Sequence, residues 1–107
     1  MNNLLRAFVE THPEGWNHAD WLGLLAELER EGTDVSDPTA VGKQLERTRL
    51  AWELERRSVP GLGPKRRAAI ADRFESLWAL RHTSPEDLAK VPSVPLSLAE
   101  KVLRAIH

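Results

Sequence analysis

Two stretches of this chain lie over one another at an offset of 32 residues: "VPGLGPKRRAAI" (59–70) aligns with "VPSVPLSLAEKV" (91–102). Both begin Val-Pro, both set an apolar residue between two turn positions, and both run straight into a helical pattern. A unit this short cannot bury its own apolar face, so two copies are expected to pack together, each as a helix, a hairpin and a second helix. The segment between them, "ADRFESLWALRHTSPEDLAK", links the two units.

The rest of the punctuation agrees with short helices. No run of alternating β-branched residues is long enough to argue for a sheet, and the fold class reads as all-α. A first helix over about 3–10 puts Leu4, Leu5 and Phe8 on one side and ends near His12-Pro13. The second starts from Asn17 as N-cap with Asp20 at N3, carries Trp21, Leu24, Leu25 and Leu28, and stops at Gly32. Asp37 caps a third helix with Pro38 in its first position, running to about residue 57 through Val41, Leu45, Thr48 and Trp52. Pro64 opens a fourth, with Ile70 and Phe74 facing inward. "ESLWALRH" reads as a short connector, with Trp78 in the core beside Leu77 and Leu80. Ser84 with Asp87 caps a brief helix to Lys90, and Ser97 with Glu100 is expected to cap the last helix, which buries Val102, Leu103 and Ile106. The organisation expected is a helical extension over 1–37 and a tandem hairpin domain over 38–107, with hairpins near 59–64 and 91–97, packed as one compact unit.

The formal charge of -1 conceals an uneven distribution. Residues 1–42 carry two basic against eight acidic side chains, whereas residues 43–67 carry eight basic against three acidic. The cations gather around the first hairpin, which suits an anionic partner there; the acidic extension suits a protein partner. No apolar run reaches the roughly 20 residues that cross a bilayer, and "MNNLLRAFVE" lacks the basic start and cleavage site of a secretory signal, so a cytoplasmic protein without a membrane role is expected. With no cysteine there is no disulfide framework and no thiolate metal site.

The first hairpin holds the strongest chemical signal. Gly61 and Gly63 allow backbone angles closed to other residues and close approach of another molecule, so the amides of Leu62, Gly63 and Lys65 are expected to point outward at a helix N-terminus. Leu62 also plugs the hairpin into the core. Lys65, Arg66 and Arg67 follow in the first helical turn, where positive charge opposes the helix dipole and makes sense beside a bound anion. Arg56 and Arg57, by contrast, suit a helix C-terminus without any ligand.

Over its last 49 residues, "VPGLGPKRRAAIADRFESLWALRHTSPEDLAKVPSVPLSLAEKVLRAIH", the chain resembles the tandem helix-hairpin-helix domain in the C-terminal part of UvrC-type bacterial excision nucleases and related repair and recombination proteins. The resemblance implies contacts from the glycine hairpins to sugar-phosphate backbones across the minor groove without base readout, with Gly61, Gly63, Lys65 and Arg66 holding one strand. The second hairpin departs from the pattern: Ser93 and Pro95 replace the glycines, Pro95 lacks an amide, and Ser97 and Leu98 stand where Lys65 and Arg66 stand in the first. Ser93 and Ser97 hydroxyls either donate to a phosphate or the hairpin only completes the fold. Helix-borne Arg47, Arg56 and Arg57 are then needed as secondary DNA contacts. Residues 1–57 are not recognised as part of a family; "VGKQLERTRL" is faintly similar to the recognition helix of helix-turn-helix modules and is read as part of a helical cap rather than a separate sequence-reading element.

No nucleophile, paired-carboxylate or metal constellation stands out. His12, His18 and Asp20 match no ligand spacing and are read as surface and capping residues, so no catalytic residue, metal or cofactor is expected. The leading expectation is non-sequence-specific binding of duplex or junction DNA in repair, recombination or replication. The alternative is a protein-interaction or dimerisation module on the same scaffold.

Overall fold

The computed structural model describes residues 3–107. Among them the chain forms seven helices: α1 (Asn3–Thr11), α2 (His18–Arg30), α3 (Pro38–Arg56), α4 (Pro64–Phe74), α5 (Leu77–Arg81), α6 (Pro85–Leu88) and α7 (Leu96–Ile106). No strand occurs among the described residues, and the all-α class holds.

Local sequence sets most of the boundaries. At α2 the Asn17 side chain accepts from the Asp20 amide at 2.8 Å while Asp20 accepts from the Asn17 amide at 3.2 Å, a reciprocal cap. The helix ends where Gly32 turns left-handed at φ 87° and the Thr33 amide reaches back to Leu28 O. Asp37 accepts from the Ala40 amide at the start of α3, ahead of Pro38. Within "ESLWALRH" the Ser76 hydroxyl caps α5, so the connector holds a one-turn helix of its own.

Two expectations are corrected. Helix α7 starts from Pro95 rather than from a Ser97 cap, because the repeat governs: Pro95 occupies the place that Gly63 occupies before α4, both in extended conformation. Trp78 is not core. It is 68% exposed on α5, while Leu77 and Leu80 on either side are buried. A helix only five residues long turns one narrow face inward, and those leucines fill it.

The apolar interior falls into two clusters, and the division lies inside α3. Val41 and Leu45 pack with Leu5, Val9, Leu24 and Leu28 of α1 and α2, whereas Leu50 and Leu54 pack with the hairpins and α4–α7. The 19 residues of α3 are thus common to both. No described helix is long and apolar enough to cross a membrane.

Candidate functional site

The two hairpins adopt the same backbone path. In the first, the Leu62 amide donates to Val59 O at 3.0 Å; in the second, the Val94 amide donates to Val91 O at 3.1 Å. All four side chains are buried, so each turn is pinned to the core by its apolar pair. The left-handed residue is Gly61 at φ 87° in the first turn and Ser93 at φ 69° in the second. The following helix is entered the same way: Arg67 donates its amide to Gly63 O, and Ala99 donates to Pro95 O.

The roles of the two glycines separate here. Gly61 is favoured by its positive φ, which Ser93 adopts at a cost in the second turn. Gly63 has φ -81° and ψ 178°, extended backbone that any residue adopts, and a Cβ placed on it would meet nothing within 4 Å. Nothing among the described residues uses its missing side chain. Among the described residues no acceptor takes the amides of Gly63, Lys65 or Arg66, and no side chain caps α4. These donors open into a shallow groove of about 590 Å³ lined by Gly63, Pro64, Lys65, Arg66 and Ser93. The Leu62 amide, expected with them, is taken by Val59 O, and the residue is buried, so Leu62 anchors the turn and offers nothing outward.

The cations around the turn have distinct surroundings. Lys65 is exposed and makes no hydrogen bond or ion pair among the described residues. Among the described residues neither Arg66 nor Arg67 is in an ion pair: Arg66 donates to Ser93 O and Gly61 O, and Arg67 to Leu62 O at 3.3 Å. Bonds to neutral carbonyls leave the charge of Arg66 without an ion-pair partner beside the groove, whereas the charge of Arg67 acts on Glu55.

The secondary residues each have a partner within the protein, Arg47 and Arg56 at the surface and Arg57 largely buried. Arg47 is ion-paired with Asp72 of α4. Arg56 lies 3.3 Å from Glu53 and sits over the Trp52 ring at 4.8 Å. Arg57 is ion-paired with buried Glu53 and donates to Ala105 O at 2.8 Å; burial, aided by the charge of Arg81, lowers its pKa. Arg57 is therefore a strut closing the C-terminal end of α7 rather than a free cation.

At the second hairpin Leu98 and Ala99 are buried where Arg66 and Arg67 stand in the first, while Ser97 is exposed. The loss of an amide at Pro95 is offset by Leu96, which stands where Pro64 stands, so the amides of Leu96, Ser97 and Leu98 again find no acceptor among the described residues. Sequence reasoning missed one residue here and one contact of another. Lys101 lies one turn after Ser97 on α7 and is exposed, a neighbour that i, i+4 spacing alone reveals. Arg66 was read as a phosphate ligand, and nothing local signals its reach across 27 residues to Ser93. His12 Nε2 lies 3.8 Å from Asp20, and no group of three or more potential metal ligands occurs among the described residues.

Comparison with known proteins locates this geometry. Residues 54–107 match the family described as SAM-like helix-hairpin-helix tandem. The chain is similar to the UvrABC system protein C of Symbiobacterium thermophilum, 50% identical over 48 residues, which are 45% of this chain and 8% of that protein. It is 40% identical over 50 residues to the UvrABC system protein C of Geobacter metallireducens, 47% of this chain and 8% of the relative. With that of Alkalilimnicola ehrlichii it shares 44% identity over 61 residues, 57% of this chain and 9% of the relative. The chain thus spans less than a tenth of the length of these relatives. No solved structure matches it.

Proposed function

Because the chain belongs to the SAM-like helix-hairpin-helix tandem family, we propose that it is a DNA-binding module that grips sugar-phosphate backbone without reading bases, and that it acts by binding and not as an enzyme. An accessory role in repair, recombination or replication of DNA in the cytoplasm is proposed with it, supported by the likeness to UvrABC system protein C. The observation that carries the reading is the empty space at Gly63, where an absent side chain serves no internal contact and three amides lack acceptors. A phosphate oxygen fits that need: it accepts several N–H bonds at once and is favoured at the positive end of α4. Lys65 supplies an exposed ammonium beside it, and the charge of Arg66, which no carboxylate pairs among the described residues, deepens the local potential. The Ser97 hydroxyl and Lys101 offer weaker contacts at the second turn.

Titration of the protein against two unrelated duplexes at two salt concentrations tests this. Affinity that falls steeply with salt and is nearly the same for both sequences supports it, since phosphate contacts release counterions and carry no sequence information. Absence of binding, or strong preference for one sequence, overturns it.

A second reading, a protein-interaction module, is favoured by Trp78. Its indole is exposed and stacks on His82 with ring centroids 4.1 Å apart. It lies past the C-terminal end of α4, about 16 Å of helix from the hairpin at the other end. Light scattering with and without DNA separates the readings: a stable dimer indifferent to DNA supports the second.

A further inference from the structure

The two hairpins are tied to each other by side chains at equivalent places in the repeat. Arg66 donates from Nε to Ser93 O and from Nη1 to Gly61 O, both at 2.7 Å, so one guanidinium spans the two left-handed turns. The residue 32 places on, Leu98, is buried, and its Cδ1 lies 3.6 Å from where a Cβ on Gly61 would stand. Position 66 thus touches turn 93 and position 98 touches turn 61, the exchange made by two units related by an approximate two-fold axis. The two contacts differ in kind. Leu98 supplies non-directional packing, whereas the planar guanidinium with two directed bonds fixes both the separation and the tilt of the turns.

We propose that Arg66 is a positioning residue whose side chain sets the spacing between the hairpins, and thereby the strength of DNA binding, instead of taking a phosphate itself. Its effect on DNA rests on the DNA-binding reading; the spacing does not. Two sets of main-chain donors, one at each turn, engage one duplex together only if they are held at a fixed separation, because each otherwise binds with its own cost of ordering. Lysine at position 66 keeps the charge and loses the paired bonds, so it separates the two roles.

The chain has no cysteine, so Pro60→Cys and Pro92→Cys, at exposed equivalent sites on the two turns, accept spin labels cleanly. The wild-type background is expected to give one narrow distance distribution and Arg66→Lys a broadened one. In the unlabelled protein, Arg66→Lys is expected to weaken duplex binding about tenfold while the dependence on salt keeps its slope. An unchanged width overturns the proposal. So does wild-type affinity in Arg66→Lys combined with a slope lowered by about one in Arg66→Ala, the mark of a phosphate contact. If Arg66→Lys fails to fold by circular dichroism, the wild-type Arg66 Nε–H signal decides: slow exchange with solvent supports the bridge, and fast exchange overturns it. Should the wild-type protein not bind duplex at all, the DNA reading fails while the distance distribution still decides the bridge.

Discussion

Glu53 on α3 is 2% exposed, and its ion-pair partner Arg57, one turn later, donates to Ala105 O near the end of α7. The pair joins the last turn of α3 to the last turn of α7, and Arg81 Nε joins it by donating to Ile106 O at 3.1 Å. Removing the acid leaves a largely desolvated guanidinium without a counter-charge. Glu53→Gln is expected to destabilise the protein by about 3 kcal/mol, because breaking one side of a buried pair costs more than the pair contributes. Urea unfolding measures it; a loss within the scatter of surface substitutions would show that the pair is solvated.

The glycines of the first hairpin give opposite expectations. Gly61→Ala forces a Cβ into φ 87°, and destabilisation of about 1–2 kcal/mol is expected, since the 3.6 Å approach of Leu98 adds no clash. Gly63→Val meets open space at φ -81° and is expected to cost no more than about 1 kcal/mol, the preference for glycine over valine at an N-cap, while weakening duplex binding. Denaturation and DNA titration on both variants check this. A Gly63→Val protein that binds as the wild type does removes the backbone from the interface.

Lys65 and Arg47 distinguish a free cation from an internally paired one. Lys65→Ala is expected to lower the slope of log affinity against log salt by about one, the loss of a single phosphate contact. Arg47→Ala, whose side chain is held by Asp72, is expected to leave that slope unchanged. Titrations at four salt concentrations are sufficient, and equal slopes for Lys65→Ala and the wild type count against the site.

Acid lability has a specific contributor in Glu55. A hydrogen bond from Arg6 at 3.0 Å, reinforced by the charges of Arg6 and Arg67, lowers its pKa below the usual 4.5. A depressed carboxylate contributes stability that is present above its unfolded pKa and lost as pH falls through the folded one. The pair is exposed to water, so its share is expected to stay below about 1 kcal/mol. Comparing the pH dependence of thermal unfolding for the wild type and Glu55→Gln isolates it: the two curves converge in acid and separate above pH 5.

How much of this was legible in the sequence depends on the range of the signal. Caps at Asn17, Asp37 and Ser84 are written within three residues of where they act, and the structure holds each of them. The repeat is likewise visible, and it outweighed the local Ser97 signal because the apolar pairs Val59–Leu62 and Val91–Val94 fix where each turn sits on the core. Trp78 was misplaced because neighbouring leucines gave it an apolar setting while the narrow inward face of α5 had room for only two side chains. Glu53 was missed because its charge hides its place on the stripe of Leu50, Leu54 and Arg57, although the i, i+4 spacing to Arg57 was there to be read. The Arg66 bridge had no local trace, since its acceptors are carbonyls, which every residue carries.

The shared helix α3 makes the extension more than an appendage. One unbroken rod enters both interiors, so no hinge stands between the part that carries the negative charge and the part that offers the amides. Any push on α1 or α2 is thereby carried to the hairpins, much as the handle of a wrench carries force to its jaw.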